Sequence, residues 1–204
     1  FGSNGGSVDI LTDRFYMTRD RKLLTGDPNF QGQLYMGKGI IDANTAILGY
    51  QEFIGRSTNT SVYRGYCQAS ITVSNTAVFK VNDTLELGYA TETDPLAEPF
   101  ENRGVINIGP GGKVQANTIL YGGPAKVSAG SAINMTAGAT LIVSNTVAGP
   151  DAYLPSLSMS DSILVLHLDG SRTEPYVYVT NLVCSGLSNQ INLATITGVS
   201  SYPA

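Results

Sequence analysis

The sequence predicts an all-β chain folded as a β-solenoid, a stack of short strands in which each repeat lies against the one before it. Three observations predict it. Four passages share one pattern: residues 32–50 (GQLYMGKGIIDANTAILGY), 69–89 (ASITVSNTAVFKVNDTLELGY), 104–123 (GVINIGPGGKVQANTILYGG) and the degenerate 130–144 (GSAINMTAGATLIVS). They recur at roughly 35–40 residues, the self-similarity of a stacked repeat architecture. Period-two alternation of apolar and polar residues runs through the chain, and no long segment places apolar residues at i, i+3, i+4 and i+7. Charged residues make up 14% of the sequence, well below the roughly 25% of an average domain. Gly, Ser, Thr and Asn take their place, as short strands joined by tight turns require.

The elements follow in order. Residues 6–16 (GSVDILTDRFY) already alternate, and no amphipathic helix precedes them to cap the first coil. Each repeat then pairs a short alternating run with a Gly or Asn-Thr turn and a second alternating run. In residues 70–87, Ile71, Val73, Ala77, Phe79, Val81, Leu85 and Leu87 are expected to face inward. Thr72, Ser74, Lys80 and Glu86 are expected to face out. Residues 105–108, 133–135 and 140–143 are further short strands bounded by Gly, Pro or Asn.

Two polar insertions interrupt the repeats, at 53–66 and at 92–103, the second carrying Pro95 and Pro99. Insertions in a solenoid emerge from one face, often the functional one. Residues 1–154 are thus read as the solenoid repeats with these two loops. Residues 155–204 form an irregular C-terminal β region of longer strands, a continuation or cap of the stack.

The Asn-Thr pairs at Asn44, Asn75, Asn117 and Asn145 mark corners. Asn tolerates the left-handed conformation a sharp corner needs. Stacked at equivalent corners, the four amides would form a ladder of the cross-β kind. Their frequency is equally that of turns in an Asn- and Thr-rich chain.

Composition excludes several classes of function. Among 204 residues the net charge is −4. The cluster Arg14, Arg19, Arg21 and Lys22 is interleaved with Asp13 and Asp20, so no basic face for nucleic acid is expected. No apolar run approaches the roughly 20 residues of a membrane span, and no membrane insertion is expected. The first residues, FGSNGG, have neither the basic nor the apolar region of a signal peptide. A mature chain or a fragment whose leader is gone is the expectation.

No motif names a reaction, and no cofactor is implied. Glu92, Asp94, Glu98 and Glu101 form the densest acidic group, but carboxylates in a Pro-containing loop are a non-specific signal for Ca²⁺. His167 lies in an alternating strand with no partnered nucleophile and reads as a surface or edge histidine. Asn59, Asn82 and Asn134 each open a glycosylation sequon.

Cys67 and Cys184 lack zinc-ligand spacing. Three readings stand: two buried thiols, a bridge within a chain that folds back, or a bridge between molecules. Coils about 4.8 Å apart would hold distant cysteines far beyond the roughly 4.4–6.8 Å Cα separation of a disulfide.

The closing Leu48, Gly49, Tyr50 and Leu87, Gly88, Tyr89, together with the 162–198 stretch, resemble the autotransporter-associated β-strand repeats of large secreted bacterial proteins. The resemblance implies a right-handed parallel β-helix exported to the cell exterior. It implies no enzyme activity and supplies no catalytic residues. No translocating barrel or sorting signal lies in the sequence, which leaves export and anchoring open.

The functional expectation is a non-enzymatic extracellular structural protein, a subunit of a surface filament, layer or matrix that self-associates head to tail. Uncapped end coils attract further strands, and a heterologous contact that does not close makes a filament. The alternative is an adhesin or glycan-binding passenger that presents Tyr63, Tyr66 and Phe100 from the insertion loops to sugars or a cell surface. A polysaccharide-active enzyme is the third reading, on fold analogy alone.

Overall fold

The computed structural model describes residues 6–22, 29–53, 66–91, 102–122 and 130–197. Thirteen strands lie within them: β1 Val8–Lys22, β2 Asn29–Met36, β3 Gly39–Phe53, β4 Tyr66–Val73, β5 Val78–Ala90, β6 Arg103–Ile108, β7 Lys113–Tyr121, β8 Ala132–Met135, β9 Thr140–Val147, β10 Leu154–Ser160, β11 Ile163–Asp169, β12 Val179–Ser185 and β13 Gln190–Thr197. No helix occurs among the described residues.

Chain order sorts the strands without exception. Odd strands form one seven-stranded sheet, β1-β3-β5-β7-β9-β11-β13, and even strands form a six-stranded sheet, β12-β10-β8-β6-β4-β2. Neighbouring strands within both sheets are parallel. Each turn of the chain therefore adds one strand to each sheet, an arrangement consistent with a β-solenoid. Strands β10 to β13, drawn from the C-terminal β region, extend the same two sheets.

The core sits between the sheets as columns of like residues. In the odd sheet, Ile10, Ile41, Phe79, Val114, Leu141, Leu164 and Ile191 are successive register partners. In the even sheet the column runs Leu34, Ile71, Ile106, Ile133, Leu157, Leu182. The interior members of both are buried. The residues expected to face inward from 71 to 87 are all buried, with Phe79 completely inaccessible. Such stacking of apolar area is the main stabilising term of the fold.

One expectation fails in this stretch. Glu86, expected to face out, is only 7% exposed. The register of β5 shifts between Val81 and Thr84, and beyond that irregularity Leu85, Glu86, Leu87 and Gly88 are all buried. Strict alternation ends at the bulge, and the outer arm of β5 is covered on both faces.

The turns between even and odd strands form a column of their own. Asn75, Gly111, Gly138, Asp161 and Gly186 all take positive φ there, between 46° and 82°. Backbone bonds run along it: Asn75 N–H donates to Pro110 O (2.7 Å), Gly111 N–H to Gly138 O (3.1 Å) and Gly138 N–H to Asp161 O (2.9 Å). Glycine, Asn and Asp supply the left-handed conformation at least cost. Of the four Asn-Thr corners, Asn75 alone has it.

Candidate functional site

The seven odd and six even strands leave β1 and β2 at one edge of the described stack, and β12 and β13 at the other. Edge strands present one row of backbone donors and acceptors to whatever lies beyond. The core columns surface at the same two places. At the β1 and β2 end, a hollow of about 310 Å³ is lined by Ile10, Phe15, Met17, Leu34, Met36 and Ile41. Ile10 is 39% exposed there. Phe15 holds its position by an edge-to-face contact with Phe79, ring centroids 5.7 Å apart.

At the opposite end Leu182 and Ile191, the last members of the two columns, are 51% and 59% exposed. Val183, Leu187 and Leu193 add to the apolar surface. Asp161 ties this last layer down: its carboxylate accepts from Leu187 N–H (2.7 Å) and Ser188 N–H (2.8 Å). Both ends of the described stack thus combine a strand edge with the last members of the core columns.

Two side-chain ladders run along the outside. Tyr50 and Tyr89 stack with ring centroids 5.3 Å apart, and Tyr16 lies tilted against Tyr50 at 5.5 Å. Arg19 lies over Tyr16 and Tyr50, at 4.7 and 5.2 Å from their centroids, and pairs with Glu52 at 3.1 Å. Burial raises the pKa of Tyr50, with Glu52 adding to it. Burial likewise raises that of Tyr89, with Glu86 adding to it. Desolvation alone pushes Glu86 up to about 7. On the other sheet, Asn134 Nδ2 donates to Asn107 Oδ1 (2.9 Å), and Asn107 Nδ2 donates to Ser70 Oγ (3.2 Å).

That second ladder stacks the amides of Asn107 and Asn134, different asparagines from the expected ones. Asn44, Asn117 and Asn145 lie at the register shifts of the odd sheet, and Asn75 lies in the column of turns. Asn44 Nδ2 donates to Asp13 Oδ1 at 3.5 Å, and Asn145 Nδ2 to Thr118 Oγ1 at 3.0 Å. In β5 the neighbouring position is filled by Asn82, whose Nδ2 reaches Asp42 Oδ1 (2.7 Å). The Lys80 ammonium and Asn82 together hold the Asp42 carboxyl below its ordinary pKa, Lys80 contributing most.

The cysteines sit in the same sheet but far apart. Cys67 is a buried thiol in β4 and Cys184 an exposed thiol in β12. Four strand spacings separate them in the sheet order, about 19 Å at about 4.8 Å per strand, well beyond disulfide reach. The Cys67 N–H donates to Oδ1 of the buried Asn102 (3.0 Å), whose Nδ2 donates to Tyr89 O (3.0 Å).

Tyr63 and Phe100 lie outside the described residues, as do Asn59, Glu92, Asp94, Glu98, Glu101 and most of both insertion loops. Tyr66 begins β4, and its hydroxyl accepts from Gln31 Nε2 (3.1 Å). Arg103, counted with the second loop in the sequence, belongs to β6. His167 is half-buried at the register shift between Leu166 and His167. Among the described residues no three His, Cys, Asp or Glu side chains are grouped as a metal site would require. No helix there is long and apolar enough to cross a membrane. Comparison with family models, curated proteins and solved structures finds no match for this chain.

Sequence reasoning missed the buried Glu86 and the tyrosine stack. The stack had a signal: Tyr50 and Tyr89 each follow a Leu-Gly pair at the end of a repeat, so equal register would bring their rings together.

Proposed function

We propose that the chain is a stretch of right-handed parallel β-helix that serves as a non-enzymatic extracellular structural protein, stacking end to end with further copies in a surface filament, layer or matrix. The observation that supports this reading is the pair of ends of the described stack, where the last core-column residues are exposed beside edge strands. A second copy placed with β1 beside β13 would continue the odd-sheet column, with Ile10 following Ile191. Low charge and abundant Thr, Ser and Asn favour an exterior setting.

Burying the exposed half of a Leu or Ile side chain contributes roughly 1 kcal/mol, and every 1.4 kcal/mol is about tenfold in affinity. Leu182→Asp and Ile10→Asp, at opposite ends, each replace that contribution with a carboxylate that must be desolvated. Sedimentation velocity over a concentration series, with negative-stain microscopy, reads the outcome. The wild type is expected to form rods that lengthen with concentration, and either variant to weaken association at least tenfold. A wild type that stays monomeric at every concentration, or variants that assemble like it, would overturn the reading.

A further inference from the structure

We propose that the outer face of the even-strand sheet carries a binding site for one acidic sugar unit, a uronic-acid-type ring. The site is a hollow of about 230 Å³ across β2, β4 and β6. Its walls are two rows of side chains set by register. Gln31, Gln68 and Arg103 are successive partners in one row, and Gln33, Ser70 and Val105 in the next. The rows are two residues apart along each strand, roughly 6.6 Å, and members of a row are about 4.8 Å apart. Its floor is the backbone at Gly32 and Ala69.

The donors and acceptors left over define the ligand. Gln31 Nε2 is engaged by Tyr66 and Gln33 Oε1 by Tyr35, which leaves the Gln31 carbonyl as an acceptor and both Gln33 amide protons as donors. Ser70 Oγ accepts from Asn107 and keeps its own O–H to give. Among the described residues, neither Gln68 nor the guanidinium of Arg103 has a hydrogen bond or ion pair.

The hollow therefore offers one exposed cation at the end of a row of neutral amides. Arg matches a carboxylate with two parallel N–H donors, and amides and a hydroxyl match sugar hydroxyls in either polarity. A bare phosphate would want more than one cation. A peptide strand would pair with a sheet edge rather than with this face. The hollow is smaller than the roughly 300–1,000 Å³ of drug-sized pockets, so it takes a single ring, with neighbouring units of an oligomer running across the strands.

The test titrates trimers of galacturonate, glucuronate and mannuronate into isotope-labelled protein, with maltotriose and inorganic phosphate as controls. Arg103→Gln and Gln68→Ala are run alongside. Both side chains point out of the sheet, and far-UV circular dichroism checks that the variants keep the fold. At least one uronate trimer is expected to shift the amide resonances of β2, β4 and β6, and Arg103→Gln to weaken that binding at least tenfold. Gln68→Ala should weaken it several-fold. Absence of binding by all three trimers overturns the proposal, as do equal binding of maltotriose, displacement by equimolar phosphate, or indifference to Arg103→Gln.

Discussion

Two glycines in the column of turns separate backbone strain from steric exclusion. Gly138 and Gly111 both take positive φ, 76° and 71°. A Cβ at Gly138 would meet nothing closer than Gly111 N, at an ordinary 3.6 Å, whereas at Gly111 it would lie 2.4 Å from the carbonyl oxygen of Asn75. That carbonyl belongs to the next layer of the stack and cannot swing away without moving its turn. Gly138→Ala therefore carries only the left-handed penalty, roughly 1–2 kcal/mol. Gly111→Ala adds an overlap that forces backbone shifts, at about 1–3 kcal/mol more. In a chain of this size 1 kcal/mol is roughly 2–4 °C in Tm. Gly138→Ala should thus lower Tm by about 2–8 °C and Gly111→Ala clearly further. Gly138→Asn should be milder than Gly138→Ala, because Asn accepts this conformation more readily. Thermal unfolding followed by circular dichroism measures all three. Equal losses for the two alanine variants would refute the reasoning, since the only difference drawn between them is the Asn75 oxygen.

Two further outcomes follow from burial. The Glu86 carboxyl titrates at about 7 in the fold against 4.5 ordinarily, so between those values the folded chain binds more protons than the unfolded one. Stability is then highest below pH 4.5 on this account and falls as pH rises towards 7, by roughly 3 kcal/mol in all at 1.36 kcal/mol per pH unit. Glu86→Gln should flatten that slope in urea midpoints measured from pH 4 to 8, and an unchanged slope would exclude Glu86 as its source. Cys184 is exposed and Cys67 buried, so a thiol reagent should modify one cysteine per chain quickly under native conditions and the second only on unfolding. Rapid modification of both would contradict the burial of β4.

The alternation read from the sequence located the core well where the chain obeys one period. Ile71, Val73, Phe79 and Val81 face inward because each sits in a regular strand whose two faces differ. It failed at Glu86, beyond a shift in register that no local pattern announces. Sequence position also hid the outer rows. Gln31, Gln68 and Arg103 become neighbours only because the polar insertions between them differ in length while the sheet register stays in step. The Asn-Thr pairs look alike in sequence, yet Asn75 occupies a turn and the other three a register shift. An identical dipeptide serves two geometries, and only the strand pairing distinguishes them.

In a stack of this kind each layer is stabilised mainly by its contacts with the layers on either side. An interior column residue such as Leu141 has Val114 on one flank and Leu164 on the other, and it is fully buried. Among the described residues Ile191 has Leu164 alone, and it is exposed. The end layer therefore lacks about half the contact that holds an interior one. The Asp161 carboxylate, bonded to the Leu187 and Ser188 amides, partly offsets that deficit without covering any apolar area. The stack itself shows which chemistry would fit that area: a parallel strand with an aliphatic residue in register. In the proposed end-to-end assembly the exposure of the end layer is what recruits a second copy, and a substitution that weakens that contact is expected to leave the interior layers intact.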